Sequence, residues 1–344
     1  MKIKVMRDNV IDLLVFLALA LVYIVESIVQ LFVPINYRTK RISGDIVLIT
    51  GGGGGLGRLL AERFAKMGCV IVVWDINKKA VEETVEKVKS QGGVAHGYVC
   101  DITNRERVYS TAKDVKREVG RVSILINNAG MVSGKPFLET PDALIEKTFD
   151  VNVISHFWTV KAFLPDMIDS RRGHIVTIAS LAGTVGMTKL VDYCASKYAA
   201  IGFDESLRIE LECYGHHNIH TTVICPYFIK STGMFDGVHT RFIPILEAPY
   251  VADRIVQAVV TNEKQVYLPG IFRALLLLKG FVPWRVSSMF LRALVQDAHP
   301  DHIVNKNYTK DIDNEYSKKL LLETATETLE QNYRRSNSSS ERKP

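Results

Sequence analysis

The sequence predicts an α/β fold, a doubly wound parallel sheet with helices on both faces, preceded by an N-terminal membrane-anchoring helix. From residue 45 onward, short apolar runs alternate with amphipathic helical patterns, as expected for parallel strands buried on both faces. A run of five glycines at 51–55 stands between the first strand and the first helix. An apolar stretch near the N-terminus precedes this region and predicts the anchor.

The predicted elements follow one another in regular order. Strands are predicted at 46–50, 69–74, 94–100, 122–127, 174–180 and 220–225. The helices between them are predicted at 55–67, 78–90, 104–118, 141–170 and 191–213. This alternation indicates a Rossmann-type sheet in which helices connect successive parallel strands.

Four parts of the chain differ in composition. Residues 1–41 form a hydrophobic membrane anchor with a basic linker, and 42–270 form the Rossmann domain. Residues 271–297 are apolar with scattered basic side chains, so they either pack on the core or contact a membrane, and the anchor favours membrane contact. The polar tail at 298–344 is predicted to be mostly disordered, with one helix near 313–332.

The anchor is short for a membrane span. Its unbroken apolar core covers only 13–25, whereas a span needs about 20 residues. The whole segment could cross the membrane or lie deep in its interface. A secretory signal fits poorly, because the apolar character continues beyond residue 25 without a clear small-residue cleavage site. Three basic residues flank each side, so they barely decide the orientation.

Composition excludes several classes of protein. The five cysteines are odd in number and none has CxxC spacing, so neither a disulfide framework nor a zinc site is predicted. A reducing compartment fits, which favours a catalytic domain facing the cytosol. The histidines form no HExxH motif, and no metal is expected. The net charge of +6 comes without a nucleic-acid motif, so it indicates at most weak attraction to anionic membranes.

The glycine run lies where a dinucleotide pyrophosphate binds in such sheets. The N–H groups that begin the following helix attract phosphate, and glycines let the backbone approach it. Two registers fit: Gly52, Gly54 and Gly57 match GxGxxG, while Gly51, Gly55 and Gly57, preceded by Thr50, match TGxxxGxG. A flexible linker would not stand between two buried elements.

Asp75 predicts which dinucleotide binds. It ends the second strand, 18 residues after Gly57. A carboxylate there accepts hydrogen bonds from the ribose hydroxyls of NAD and repels the 2′-phosphate of NADP. NAD is therefore the expected cofactor, and NADP is less favoured.

A second group of residues carries proton-transfer chemistry. Tyr193 and Lys197 are four residues apart on a predicted helix, so they share a face. A tyrosine with a pKa near 10 is a weak base at neutral pH, and a neighbouring ammonium lowers that pKa. Ser180, 13 residues upstream of Tyr193, ends the fifth strand and is placed to hold a substrate oxygen.

Together these motifs resemble the short-chain dehydrogenase/reductase family from about residue 42 to 268. "NNAG" at 127–130 and Asn152 in "FDVNV" complete the set, which favours the Gly51, Gly55 and Gly57 register. "GDIVLITGGGGGLGR", "DYCASK" and "CPYFIK" are similar to a membrane-associated branch that includes retinol dehydrogenases and lipid-droplet 17β-hydroxysteroid dehydrogenases. The resemblance covers about the first 295 residues.

The resemblance implies catalytic roles for four residues. Tyr193 would be the general base in alcohol oxidation and the acid in reverse. Lys197 would lower the pKa of Tyr193 and hold the nicotinamide ribose, and Ser180 would orient the alcohol or carbonyl oxygen. Asn152 would hold a water in a proton relay.

The resemblance also implies a set of cofactor contacts. Asp101 would face the adenine, and residues 128–130 would line the cofactor. "IKSTGMF" carries one residue more than the branch pattern, so either Ser231 or Thr232 contacts the nicotinamide amide. The implied contacts are Thr50, Gly51, Gly55, Leu56, Gly57, Asp75, Asp101, Ile102, Asn128, Ala129, Gly130, Tyr193, Lys197, Pro226, Ile229 and Thr232.

The segment 227–244 follows the sixth strand, where the family places its substrate lid. Its apolar side chains favour a lipophilic alcohol such as retinol, a steroid or a fatty alcohol, held by Ser180, Tyr227 and Phe228. The same side chains also fit core packing or a homodimer contact. Location at the endoplasmic reticulum membrane or a lipid droplet follows from the branch. Two alternatives remain: an NADPH-dependent membrane-bound ketone reductase, and a non-catalytic lipid-droplet scaffold.

Overall fold

The computed structural model describes residues 2–34, 37–230, 234, 240 and 243–294. Predictions about Ser231, Thr232 and the tail at 298–344 fall outside these residues. The strands are β1 Ile46–Thr50, β2 Val70–Asp75, β3 Val94–Val99, β4 Ile124–Asn127, β5 Gly173–Ile178, β6 Ile219–Pro226 and β7 Gln265–Leu268. The helices are α1 Lys2–Phe32, α2 Gly55–Lys66, α3 Lys78–Ser90, α4 Arg105–Glu118, α5 Asp142–Phe149, α6 Ser155–Ser170, α7 Val191–Cys213, α8 Ala248–Val260, α9 Ile271–Lys279 and α10 Trp284–Leu294.

The described strands form one parallel sheet in the order β3-β2-β1-β4-β5-β6-β7. Helices cover both faces, with α2 packed against α8 and α4 against α6. The predicted doubly wound sheet is confirmed. The strand order reverses between β1 and β4, and such a switch point opens a crevice at the carboxyl ends of the strands.

The core lies between the sheet and the helices that cover it. Leu48, Val72 and Leu125 of neighbouring strands are completely buried in one cluster with Phe163 and Met167 of α6. Burying such side chains contributes about 1.5–3 kcal/mol each. This packing holds the strand ends, and therefore the crevice, in a fixed arrangement.

The helix predicted at 141–170 is instead divided. α5 and α6 are separated by a π-helical turn at Asp150–Ile154. A π turn inserts about one extra residue into a helix that otherwise keeps its side-chain pattern. The turn, DVNVI, contains neither glycine nor proline, so the sequence carries no local signal of the interruption.

α8 and β7 were not predicted individually. β7 has only four residues and only two of them are buried, so its apolar pattern is short. β1 has the predicted boundaries, and the ends of the other predicted strands differ by at most two residues, which is the usual uncertainty at element ends.

α1 contains the predicted anchor. Asn9–Val29 is 21 residues long with a mean hydropathy of 2.4, and none of this stretch is buried. By length and composition it is a candidate membrane-spanning helix.

The chain divides into two compact units. The first comprises 1–236 and 245–281 and contains the sheet. The described part of the second consists of Thr240, residues 243–244 and 282–294, with α10 as its helix.

Candidate active site

The turn after β1 brings backbone atoms unusually close together. Gly51 and Gly55 adopt φ values of 62° and 50°, the left-handed region that glycine tolerates best. A Cβ on Gly57 would lie 2.2 Å from the carbonyl oxygen of Gly51 and 2.8 Å from the Cα of Gly52. This geometry favours the register of Gly51, Gly55 and Gly57, because Gly51 and Gly55 adopt the left-handed conformation and Gly57 has no room for a Cβ.

Two other glycines of the run, Gly54 and Gly52, differ in the space around them. A Cβ on Gly54 would have no atom within 4 Å, as expected of a spacer. At Gly52, however, a Cβ would lie 2.9 Å from Cγ1 of Val73 and 3.0 Å from the Ile49 carbonyl oxygen. Gly52 therefore has no room for a side chain, although it is not part of the favoured register, since Val73 already fills the space.

Thr50 links the glycine turn to the loop after β4 by hydrogen bonds. Its Oγ1 accepts hydrogen bonds of 3.1 Å from the backbone N–H groups of both Asn128 and Ala129. The Asn128 side-chain amide donates to the carbonyl oxygens of Thr50 and Gly51, at 2.9 and 3.2 Å. Thr50 is only 1% exposed. It thus joins the β1 and β4 loops rather than lining the crevice.

A cavity of about 480 Å³ occupies the crevice. Most residues that the sequence assigned to the cofactor or substrate line it. These are Gly51, Gly55, Leu56, Asp75, Asp101, Ile102, Asn128, Ala129, Gly130, Ser180, Tyr193, Lys197, Pro226, Tyr227, Phe228 and Ile229. Thr50, Gly57 and Asn152 stand behind this lining, and Thr232 is outside the described residues.

Asp75 is fixed at the far end of the cavity. Its Oδ2 accepts from the Gly53 N–H at 3.1 Å, and its Oδ1 accepts from the Asn77 N–H at 3.0 Å. The carboxylate therefore stands beside the glycine turn with its orientation set by backbone donors. Arg58 also contacts this turn, but its guanidinium is engaged by the Gly53 carbonyl and by Glu83.

Asp101 lies on the same side of the cavity. Its Oδ1 accepts from the backbone and hydroxyl of Thr103, at 2.9 and 2.7 Å, and Lys147 lies 3.9 Å from its Oδ2. Partial burial raises the pKa of Asp101, but these hydrogen bonds and the Lys147 charge outweigh it and place the pKa below its usual value. Asp101 is thus ionised at neutral pH.

Tyr193 and Lys197 meet at the other end of the cavity. Both are nearly buried, at 4% and 3% exposure. The Lys197 Nζ lies 5.6 Å from the centroid of the Tyr193 ring and donates to the Ile178 carbonyl oxygen at 2.9 Å. The Ser180 Oγ accepts from the Ala182 N–H at 3.1 Å, and the hydroxyl also hydrogen-bonds Tyr193. The predicted grouping of these three residues is present.

Burial is the largest influence on the pKa values of Tyr193 and Lys197. It raises the pKa of Tyr193 well above its ordinary value, and the hydrogen bond with Ser180 only partly opposes it. The sequence expected the Lys197 charge to lower this pKa, but removal of the phenolate from water has the larger effect in the protein. Burial also lowers the pKa of Lys197 to about 8.

Asn152 lies on the π turn and is completely buried. Its Oδ1 accepts from the Met131 N–H at 2.9 Å, and its Nδ2 donates to the Met131 carbonyl and to the Ser196 Oγ, both at 3.0 Å. Asn152 therefore fixes the loop after β4 against α7. Its role with a relay water stays a prediction.

Comparison with known proteins decides the family. A family model described as short chain dehydrogenase matches residues 45–241. The chain belongs to the short-chain dehydrogenase/reductase family. It is 48% identical over 280 residues to epidermal retinol dehydrogenase 2 of Mus musculus, covering 80% of this chain and 90% of the relative.

Two further matches extend this result. Estradiol 17-beta-dehydrogenase 11 of Homo sapiens is 45% identical over 283 residues, which cover 82% of this chain and 93% of the relative. Among solved structures, a short-chain dehydrogenase/reductase from Burkholderia phymatum in complex with NAD matches with a TM-score of 0.63 and 25% identity. That match covers 70% of this chain and 94% of the other.

This short-chain dehydrogenase is therefore an oxidoreductase that acts on CH–OH groups with a nicotinamide cofactor. The residues present fit such a cofactor. The glycine cradle at Gly51, Gly54 and Gly55 lines the cavity at the start of α2, where backbone N–H groups would hold a pyrophosphate, and the cavity continues from there to Tyr193.

Sequence reasoning missed most of the apolar side chains at the Tyr193 end. Met131, Met187 and Leu190 line the cavity there and come from two different loops, together with Met234 of the predicted lid segment. Such residues carry no spacing signal, because only the fold brings them together. Met131 had an indirect signal, since it directly follows the "NNAG" motif of this short-chain dehydrogenase.

Proposed function

We propose that this short-chain dehydrogenase interconverts a lipophilic alcohol and its carbonyl compound with NAD at a membrane or lipid-droplet surface. The observation that carries the proposal is the cluster of Ser180, Tyr193 and Lys197 in one cavity with the glycine cradle. The cluster supplies proton transfer, and the cradle fits a dinucleotide. Retinol and 17β-hydroxysteroids are the favoured substrates, because the relatives are named for them.

The residues around the reacting carbon have different roles in the proposed reaction. Tyr193 removes the hydroxyl proton of the alcohol, and Ser180 holds the same oxygen by a hydrogen bond. Lys197 stabilises the phenolate that Tyr193 must form and holds the nicotinamide ribose. NAD, when bound, supplies the hydride acceptor. The alcohol thus loses its proton to Tyr193, while Asn152 keeps the neighbouring loop in place.

The protonation of Tyr193 predicts a pH dependence. Burial raises the pKa of Tyr193, so the phenolate is scarce at neutral pH and its fraction grows as pH rises. We expect kcat/KM for alcohol oxidation to increase from about pH 6 to about pH 8, whereas kcat/KM for carbonyl reduction should stay nearly constant, because Tyr193 remains protonated over this range. Initial rates in both directions measure this. An oxidation rate independent of pH over this range would contradict the role of Tyr193.

Asp75 supports NAD over NADP. Backbone donors hold its carboxylate at the cavity wall, where it would accept from ribose hydroxyls and repel a 2′-phosphate. Among the described residues that line the cavity, the cations are Lys147 and Lys197, and Lys147 lies beside Asp101. Gly54 adds no charge near the turn.

Asp75→Ala is expected to lower kcat/KM with NAD and raise it with NADP, each by about tenfold. The substitution removes the carboxylate that accepts from the ribose hydroxyls of NAD and that repels the 2′-phosphate of NADP. Steady-state rates with both cofactors measure the ratio. Asp101→Asn is the matched control: it removes one negative charge from the same cavity and should affect both cofactors alike. An unchanged ratio in Asp75→Ala would contradict the assignment.

Apolar surface in the first unit supports a membrane-associated substrate. α9 leaves Ile271, Leu277 and Leu278 more than half exposed, and Phe281 after it is 87% exposed. Lys279 donates from the same helix to the Thr184 carbonyl oxygen at 2.6 Å, so α9 adjoins the loop after β5 that contributes Ser180. A lipid surface would cover these side chains.

The proposed cytosolic orientation has a direct test. The tail contains two glycosylation sequons, at Asn307 and Asn337. We expect neither to be glycosylated in cells, because the enzymes that modify them act in the lumen. The measurement is the electrophoretic mass before and after glycosidase, with a co-expressed lumenal glycoprotein as control. A glycosidase-sensitive shift would contradict the orientation.

Turnover by membrane fractions tests the proposed function as a whole. Retinol, oestradiol and a long-chain alcohol are each supplied with NAD and with NADP. We expect carbonyl product from at least one lipophilic alcohol, faster with NAD. Faster turnover with NADP would favour the ketone-reductase alternative, and no turnover of any substrate in either direction would favour the scaffold.

A further inference from the structure

A second cavity, of about 200 Å³, lies at the amino ends of β1, β4, β5 and β6, whereas the glycine cradle follows the carboxyl end of β1. We call it the basic pocket and define it by Lys40, Arg41, Asp45, Arg171, Arg172 and His174. Arg171 and Arg172 precede β5, and Lys40 and Arg41 belong to the linker after α1. Since strands of six residues are about 20 Å long, the pocket is separate from the nucleotide site.

The pocket has an excess of positive charge. Four cationic side chains line it, and Asp45 is the one carboxylate among the lining residues that the structure describes. Asp45 is engaged by Arg172 at 2.8 Å. Within the described ranges, Arg41 and Arg171 form no salt bridge, and both are exposed. Two guanidinium groups are thus available at the pocket for an anion.

A buried hydrogen-bonded chain fixes the floor of the pocket. The Lys40 Nζ lies 2.7 Å from the Nδ1 of His174, whose Nε2 lies 2.8 Å from the Oγ1 of Thr222. Burial, with the Lys40 charge, lowers the pKa of His174 well below its usual value, so its ring is neutral and Nδ1 accepts from the ammonium. Burial also lowers the pKa of Lys40 to about 8. An anion in the pocket would stabilise this ammonium.

We propose that the basic pocket binds the phosphate group of an anionic membrane phospholipid. Guanidinium forks suit phosphate oxygens, and a preorganised ammonium adds a third donor group. The pocket holds several water-sized groups, enough for a phosphate.

The position of the pocket in the chain selects a lipid over a soluble phosphate. Lys40 lies eight positions after Phe32, the last residue of α1. A chain of that length spans at most about 29 Å. The pocket must therefore stay near the headgroups if α1 is held in a membrane, a condition that rests on the proposed function.

The test measures headgroup binding by the full-length chain in detergent micelles. The chain is titrated calorimetrically with dioctanoyl phosphatidic acid, dioctanoyl phosphatidylcholine and inorganic phosphate. Arg41→Gln combined with Arg171→Gln removes two pocket charges. Lys87→Gln combined with Lys113→Gln is the matched control, since both lysines are exposed on helices outside the pocket.

We expect phosphatidic acid to bind the wild type more tightly than phosphatidylcholine or inorganic phosphate. The pocket variant should bind phosphatidic acid about tenfold more weakly or worse, and the control variant should match the wild type. Equal affinity of the pocket variant and the wild type, or equal loss in both variants, would overturn the proposal. Inorganic phosphate binding as tightly as the lipid would assign the pocket to a soluble anion and overturn it as well.

Flotation on phosphatidylcholine vesicles separates this proposal from the anchor. We expect the wild type and the pocket variant to float alike, because α1 provides that attachment. Failure of both to float would contradict the proposed membrane location. The calorimetric comparison would still show whether the basic pocket binds the phospholipid headgroup.

Discussion

Tyr193→Phe is expected to lower kcat for alcohol oxidation by about 10³-fold, the usual contribution of a positioned general base. The phenylalanine keeps the ring beneath the Lys197 ammonium and loses only the hydroxyl that takes the proton. NADH binding should change little, because the substitution leaves the glycine cradle and Asp75 intact. The variant tests the role assigned to Tyr193 apart from cofactor binding.

Single-turnover kinetics and NADH fluorescence titration measure the two quantities. Tyr198→Phe is the matched control: it removes a hydroxyl from the same helix, but Tyr198 is 44% exposed and does not line the cavity. The control should retain wild-type turnover. If Tyr193→Phe kept more than about a tenth of the wild-type kcat, another base would have to be found.

Gly57→Ala is expected to weaken NADH binding by about a hundredfold. The new Cβ would lie 2.2 Å from the Gly51 carbonyl oxygen and 2.9 Å from Nδ2 of Asn128. Neither can move without distorting the turn, because Asn128 also donates to Thr50. Overpacking of this kind costs about 3 kcal/mol, which corresponds to about a hundredfold in the dissociation constant.

Gly54→Ala is the matched control for that prediction. It adds the same methyl group three residues earlier, where no atom lies within 4 Å, and the backbone φ of −151° suits alanine. Its NADH affinity should stay within about twofold of the wild type. Far-UV circular dichroism shows whether each variant is folded. If Gly57→Ala is folded and its NADH affinity is unchanged, the proposed role of the glycine cradle in cofactor binding would be contradicted.

The sheet was predictable because its signals are local. β1 and β2 are apolar runs beside clear turns, and Asp75 marks the end of β2. The spacing of Tyr193 and Lys197 likewise lies within one helix. Helix prediction failed at Asp150–Ile154, because the π turn contains no glycine or proline that would mark an interruption.

The remaining parts of the site depend on contacts between distant segments. Gly52 is constrained by Val73 of the neighbouring strand, and no property of the glycine run reveals that. The raised pKa of Tyr193 arises from burial by several loops, whereas the sequence showed only the nearby lysine. The basic pocket joins the linker to the segment before β5, more than 120 residues away.

The central claim is that this cavity transfers hydride from a lipophilic alcohol to NAD, and isotope transfer tests it most directly. Membranes containing the enzyme are incubated with NAD and retinol or oestradiol that carries deuterium on the carbinol carbon, and the cofactor is analysed by mass spectrometry. We predict deuterated NADH with the wild type and almost none with Tyr193→Phe. Carbonyl product without label in the cofactor, or equal label from both proteins, would contradict the account.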